Sequence, residues 1–168
     1  MKYLYPLLIG LAISTAASAQ ILKTENDPKT GQEIKSAVTI LGNGMRMQLN
    51  FFARGNDKLI EFAHGGTIGH YSPAQLKIMV INIKLKNDSV YHFRTDSTKY
   101  TITQEGPFDR LSLVAVVKDE QLMPLQDSQV RSIGLSIGDG KGVDIPPISD
   151  NNRREIKKAV AYVMGGKK

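Results

Sequence analysis

Apolar and polar residues alternate along much of the chain, and this pattern dominates from about residue 37 onward. In residues 45–51, methionine, leucine and phenylalanine alternate with arginine, glutamine and asparagine, and residues 79–85 and 132–137 repeat the alternation. A period of two is typical of strands with one face buried in a core. The whole pattern predicts about eight or nine strands.

Short turns between these strands favour antiparallel pairing. Residues 87–89 read Asn-Asp-Ser, a tight-turn signal between the alternating segments at residues 79–85 and 90–94. This arrangement predicts a hairpin. No connection is long enough for the crossover helix that parallel strands require. Residues 119–125 predict one short helical turn that Pro124 stops.

The end of the chain changes to a helical period. Ser149 or Asp150 can cap the first backbone donors of a helix, and the glycines at residues 165–166 can end it. An apolar stripe at helical spacing lies opposite the cationic residues and consists of Ile156, Ala159, Val160 and Val163. We therefore predict a mainly β fold, either a β-sandwich or an open antiparallel barrel, with one C-terminal amphipathic α-helix over residues 149–164.

Residues 1–19 have the organisation of a bacterial signal peptide. Lys2 precedes an apolar run at residues 4–13, and residues 17–19 read Ala-Ser-Ala, the pattern that a signal peptidase cleaves. The run is shorter than the roughly 20 residues that span a bilayer, so no transmembrane anchor is expected. We predict cleavage before Gln20 and a location in the periplasm or outside the cell.

The rest of the chain divides into two unequal parts. Residues 20–36 are polar and contain turn signals, so we predict a flexible leader there. Residues 37–168 are expected to form a single soluble β-rich domain that includes the C-terminal helix. The chain contains no cysteine, which excludes disulfides, thiolate nucleophiles and a lipid-modified cysteine.

The formal net charge is +6, with acidic and basic residues interspersed except near the C-terminus. One explanation is a solvated helix face whose cations suit the negative end of the helix dipole. The alternative is a weak electrostatic contact with an anionic surface. Nucleic acid is not expected as a partner, since no aromatic-basic recognition motif is present. The basic residues in question are Arg153, Arg154, Lys157, Lys158, Lys167 and Lys168.

One pair of motifs suggests a hydrolase. Residues 134–138 form a G-x-S-x-G sequence around Ser136, and residues 64–67 read His-Gly-Gly-Thr. In these fragments the chain resembles the α/β-hydrolase family, which implies a serine nucleophile beside an oxyanion loop. The family places that serine on a sharp turn between a strand and a helix, with its histidine later in the chain. Here the alternation runs through Ser136 and all three histidines precede it, so we expect a strand and no catalytic residue.

Two further patterns suggest sites. His64 and His70, with Glu61 near them, are residue types that bind zinc or copper. Two histidines in one glycine-rich loop are a common coincidence and a loop histidine usually hydrogen-bonds to solvent, so we expect no metal and no cofactor. Residues 138–142 lack the spacing of a phosphate or calcium loop and predict a hairpin turn.

These patterns leave a non-enzymatic binding module as the leading functional hypothesis. Its expected partner is an envelope protein or a glycan. The expected contact surfaces are the loop at residues 65–71 and the small-residue face around Ser132, Gly134 and Ser136. The alternative is a carrier of a small apolar or amphipathic ligand, and an unrecognised enzyme is less favoured. For partner binding we single out His64, His70, Tyr71 and Ser136; for the carrier, the pocket-lining candidates are Met45, Met47 and Met79.

Overall fold

A computed structural model describes residues 20–41, 47–66, 74, 79–95, 101–105, 108–137, 143–144 and 148–165. The signal peptide predicted at residues 1–19 lies outside these residues, as does the turn predicted at residues 138–142. The described part contains two helices, α1 (Asp119–Asp127) and α2 (Asp150–Val163). Its ten strands are β1 (Gln20–Asn26), β2 (Glu33–Leu41), β3 (Met47–Arg54), β4 (Asp57–Gly66), β5 (Met79–Leu85), β6 (Val90–Arg94), β7 (Thr101–Glu105), β8 (Phe108–Val117), β9 (Val130–Ile137) and β10 (Val143–Asp144).

The strands form two antiparallel sheets. The large sheet has six strands in the order β1-β2-β3-β4-β8-β7, and the small sheet has four in the order β10-β9-β5-β6. Strand β6 contacts β8, and helix α2 contacts β1, β2 and β3, so the small sheet and the helix cover different parts of the large sheet. The mainly β fold with a C-terminal amphipathic helix is therefore confirmed.

Alternate residues of each strand supply the core. In the large sheet Phe51 pairs with Ile60, which pairs with Ala115, and all three are fully buried on the inner face. In the small sheet Ile81 faces Phe93, and both are buried in the same apolar cluster. This shared core explains the period of two, because only one face of each strand enters it.

Helix α2 completes the layer opposite the large sheet. Ser149 caps it, since its Oγ accepts a hydrogen bond from the backbone N–H of Asn152 at 3.1 Å. The Asn152 side chain donates to the carbonyl of Ile40 in β2 and so ties the first helical turn to the sheet. The helix ends before Gly165, which has φ +88°, a conformation suited to glycine. The predicted apolar stripe is buried in full: Ile156, Ala159, Val160 and Val163.

The prediction that Pro124 stops the short helix was wrong. Helix α1 runs from Asp119 to Asp127 and contains Pro124. The proline removes one backbone donor, yet its own carbonyl accepts from Ser128 N–H at 3.0 Å. Leu122 and Leu125, on either side of it, are fully buried. Packing of these leucines therefore outweighs the missing hydrogen bond.

Residues 20–36 are not a flexible leader, because they include β1 and the start of β2. Strand β1 pairs with β2 along its full length, from Gln20 opposite Thr39 to Asn26 opposite Glu33. A polar edge strand lacks the apolar alternation of a core strand, which is why the sequence pattern missed it. The turn signals were correct, and they mark the β1–β2 connection.

Asp27 organises that connection. Its carboxylate accepts hydrogen bonds from the backbone N–H groups of Lys29, at 2.8 Å, and Thr30, at 3.3 Å, and it pairs with Arg54 of β3. The hydrogen bond from Lys29, with smaller contributions from Thr30 and Arg54, lowers the pKa of Asp27 below its ordinary value. Gly31 has φ +70°, which completes the turn.

Candidate contact surface

The residues predicted to bind a partner lie apart. His64 is exposed in β4 of the large sheet, opposite Leu111 of β8. Ser136 lies in β9 of the small sheet and is 8% exposed. His70 and Tyr71 are outside the described residues. The structure therefore places His64 and Ser136 in different sheets and does not bring them into one site.

Ser136 belongs to a hydrogen-bonded chain on the outer face of the small sheet. Asn82 of β5 donates from Nδ2 to Ser136 Oγ at 2.9 Å, and its Oδ1 lies 2.6 Å from Nδ1 of His92 in β6. Asn82 faces His92 on one side and Gly134 on the other. These residues face outward because their neighbours in each strand, such as Ile81 and Ile83, face the core.

The order of Ser136, Asn82 and His92 along the hydrogen bonds determines whether His92 can act on the serine. In a serine hydrolase the imidazole contacts the nucleophilic hydroxyl directly and takes its proton. Here the Asn82 amide lies between Ser136 and His92, and a neutral amide cannot act as a base. Because the Oδ1 of Asn82 can only accept a hydrogen bond, the Nδ1 of His92 donates to it. The Nε2 atom, on the other side of the ring, lies away from Asn82. His92 therefore does not contact the serine hydroxyl directly, and the hydrogen-bonded chain orients the imidazole. Strand β9 continues through Ser136, as the alternation predicted.

Only part of this outer face is accessible. His92 and Arg94 are exposed, and Val90 is 45% exposed, whereas Ser136 and Val80 are each 8% exposed. The accessible part therefore lies toward β6 and the β5–β6 turn. We call it the outer patch, and it consists of Asn82, Lys84, Val90, His92 and Ser132.

The β5–β6 turn closes one end of the outer patch. Asp88 has φ +64° and accepts ion pairs from Lys84, at 3.0 Å, and Arg131 of β9, at 2.7 Å. The hydrogen bond from Lys84, followed by the charges of Lys84 and Arg131, lowers the pKa of Asp88 below its ordinary value of 3.8. One carboxylate thus links the turn to a third strand.

A second polar chain crosses the outer face of the large sheet. Glu61 of β4 accepts a hydrogen bond from Asn50 Nδ2 of β3 at 2.8 Å and another from Ser112 Oγ of β8. Asn50 is 3% exposed and Ser112 is 7% exposed, so this chain is less accessible than the outer patch. Its role is to link three neighbouring strands.

The cations of α2 do not occupy the position that the dipole explanation requires. Arg153, Arg154, Lys157 and Lys158 lie in the first and middle turns, and the last turn contains no basic residue. Arg153 is engaged, because it pairs with Asp150 and donates to the carbonyl of Val130. The other three are exposed. The negative end of the helix dipole therefore does not account for them; Lys167 and Lys168 lie outside the described residues.

Neither a metal-binding cluster nor a membrane-spanning helix is found among the described residues. No group of three or more histidine, aspartate or glutamate side chains there is placed to hold a metal ion. No helix there is both long and apolar enough to cross a membrane. Comparison with protein-family models, with curated proteins and with solved structures finds no match to this chain.

Sequence reasoning identified Ser136 and its small neighbours but missed Asn82 and His92. A signal for them was present, because both residues occupy outward positions of the predicted hairpin. The tight turn at residues 86–89 fixes the register of such a hairpin, which sets His92 opposite Asn82. Pairing of β5 with β9 was the part that no local pattern could supply.

Proposed function

We propose that this protein is a non-enzymatic binding module of the bacterial cell envelope and that it contacts its partner through the outer patch. The observation that carries the proposal is the oriented, exposed imidazole of His92. Its Nδ1 lies 2.6 Å from Oδ1 of Asn82, and Nδ2 of Asn82 donates in turn to Ser136 Oγ at 2.9 Å. An oriented side chain loses less conformational entropy on binding than a free one does.

The composition of the outer patch also supports this role. Val90 offers exposed apolar surface beside His92, and Ser132 on the far strand is small enough for another molecule to approach closely. Lys84 and Arg94 make the surroundings cationic. A partner with carbonyl, hydroxyl or carboxylate groups, whether an envelope protein or a glycan, complements these donors.

The carrier alternative gains nothing from the described methionines. Met79 is 2% exposed within the apolar core, Met47 packs against that core, and Met45 lies outside the described residues. We therefore retain the binding module as the single proposed function.

Site-specific photo-crosslinking in the exporting cell tests the proposal. A photoreactive amino acid replaces Val90 in the outer patch, and the matched control replaces Val116, which is 53% exposed on the large sheet. We expect a discrete adduct from position 90 and none from position 116. A protein partner gives a new band of defined mass, and a glycan gives material that remains with the cell wall.

The role of His92 is tested in the same experiment. We expect His92→Ala to reduce the adduct at position 90 strongly, because the variant removes the oriented imidazole while leaving β6 in place. Equal yields at positions 90 and 116, or an undiminished adduct in His92→Ala, would contradict the proposed surface.

A further inference from the structure

Strand β1 is the outermost described strand at one edge of the large sheet. All seven of its residues pair with β2 on one side, and no described strand pairs with its other side. Ile21 and Leu22 on this strand are 55% and 36% exposed. The strand contains no proline, and its pairing with β2 runs without interruption. An open edge of this kind is a template for another strand.

We propose that two copies of this chain pair through β1, antiparallel, about a two-fold axis at Thr24. This interface is separate from the outer patch, which lies on the other sheet. In this register Thr24 faces its own copy, and Lys23 of each chain faces Glu25 of the other. Two cross-strand ion pairs form, and residues 22–26 of both chains are paired.

Charge favours this register over its neighbour. A two-fold axis at Lys23 would pair all of residues 20–26 but would place the two lysines directly opposite each other. Directly opposed like charges destabilise a sheet, whereas opposite charges stabilise it. In the single chain Lys23 and Glu25 pair along their own strand and remain 61% and 47% exposed. Both side chains are therefore accessible to a second copy.

The faces of β1 are compatible with the pairing. Leu22 and Thr24 lie on the same face as Ala37, toward helix α2, and Thr24 Oγ1 is hydrogen-bonded to the hydroxyl of Tyr162. Lys23 and Glu25 lie on the opposite face. A two-fold axis perpendicular to the sheet keeps each face continuous between the copies, so helix α2 of both copies lies on one face while Lys23 and Glu25 of both copies lie on the other.

The expected association is weak, because paired segments of this length bury much less surface than a standard interface of about 1,600 Å². Exposed ion pairs are also screened by salt. We therefore expect a dimer that forms with increasing protein concentration and weakens as ionic strength rises.

Charge exchange tests the partner and the register together. The chain is purified as its host cell processes it, and its mass is measured by sedimentation velocity over a concentration series. We expect Lys23→Glu and Glu25→Lys each to raise the dissociation constant about tenfold or more, because like charges then face each other. The double variant, which has the wild-type composition, should restore it. Thermal unfolding of dilute protein controls for damage to the fold.

Single cysteines locate the two-fold axis, since the chain has no cysteine of its own. Under mild oxidation Thr24→Cys should form a disulfide-linked dimer, because directly opposite residues lie within disulfide range. Leu22→Cys and Lys23→Cys should not, because their symmetry mates are too distant in this register. A strictly monomeric wild-type chain, a failed double variant, or preferential crosslinking at position 22 or 23 would overturn the proposal.

Discussion

At the scale of single residues, the hydrogen-bonded networks centred on Glu61 and Asn82 have different roles, although each crosses the outer face of a sheet. Glu61 is a hub: its two oxygens accept from Asn50 and Ser112, and it stands on the strand between theirs. Asn82 is also a hub, but one of its partners, His92, is exposed. The first network therefore contributes mainly to stability, and the second can also contribute to recognition.

Replacing Glu61 tests the stabilising role. Glu61→Ala leaves the Asn50 amide and the Ser112 hydroxyl without their acceptor, and we expect it to lower the free energy of unfolding by about 1–3 kcal/mol. Glu61→Gln is the matched control, because its amide can accept from Asn50 and donate to Ser112. Equilibrium urea unfolding measures both, and equal losses in the two variants would show that the hydrogen bonds are not responsible.

The pH dependence of stability tests Asp88. Its pKa is lowered in the folded protein, so its contribution is fully present above the ordinary value of 3.8 and is lost as the pH falls through the lower, folded value. Asp88→Asn keeps a residue that tolerates the positive φ and removes the charge. The urea midpoint of this variant should lie below that of the wild type at neutral pH.

The two midpoints should converge as the pH falls well below 3.8. Asp57→Asn is the control, since Asp57 is exposed and forms no ion pair with the described residues. A gap between wild type and Asp88→Asn that stays constant down to low pH would contradict the assigned role of the charge.

At the scale of elements, helix α2 was predictable and strand β1 was not, for the same physical reason. The helix buries a full apolar stripe, and burial on one face leaves a periodic signal in the sequence. Strand β1 is held by backbone hydrogen bonds to β2 and by Asp27 at its turn, and backbone bonding leaves no such signal. Helix α1 was predicted only in part. Its proline indicated that the helix would end early, but two buried leucines stabilise the helix on both sides of that proline.

The docking of α2 gives a prediction at this scale. Ile156 of helix α2 is fully buried in the apolar core, and we expect Ile156→Ala to lower the free energy of unfolding by about 2–5 kcal/mol. Lys157→Ala, one position along on the exposed face, should change it by less than about 0.5 kcal/mol. Urea unfolding followed by circular dichroism measures both. Similar values for the two variants would mean that the helix is not part of the cooperative core.

At the scale of the whole molecule, the sequence indicated the class of fold but not how the layers are arranged. The alternation was equally consistent with a sandwich and a barrel, because both bury one face of each strand. What separates them is the pairing of distant segments, such as β4 with β8 and β5 with β9. The same limit applied to the proposed contact surface: Ser136 was identified without Asn82 and His92, because the Asn82 amide that joins them lies on a strand far away in sequence.

The position of α2 over β1–β3 has a consequence for how the chain reaches its native state. The face of the large sheet that includes Phe51 is covered by a helix made later than every described strand, and Tyr162 of that helix is hydrogen-bonded to Thr24 in the first. A chain emerging from the ribosome therefore cannot complete its core until residues 150–163 are released. Contacts of such sequence separation slow folding, and the apolar face stays exposed to solvent throughout that interval.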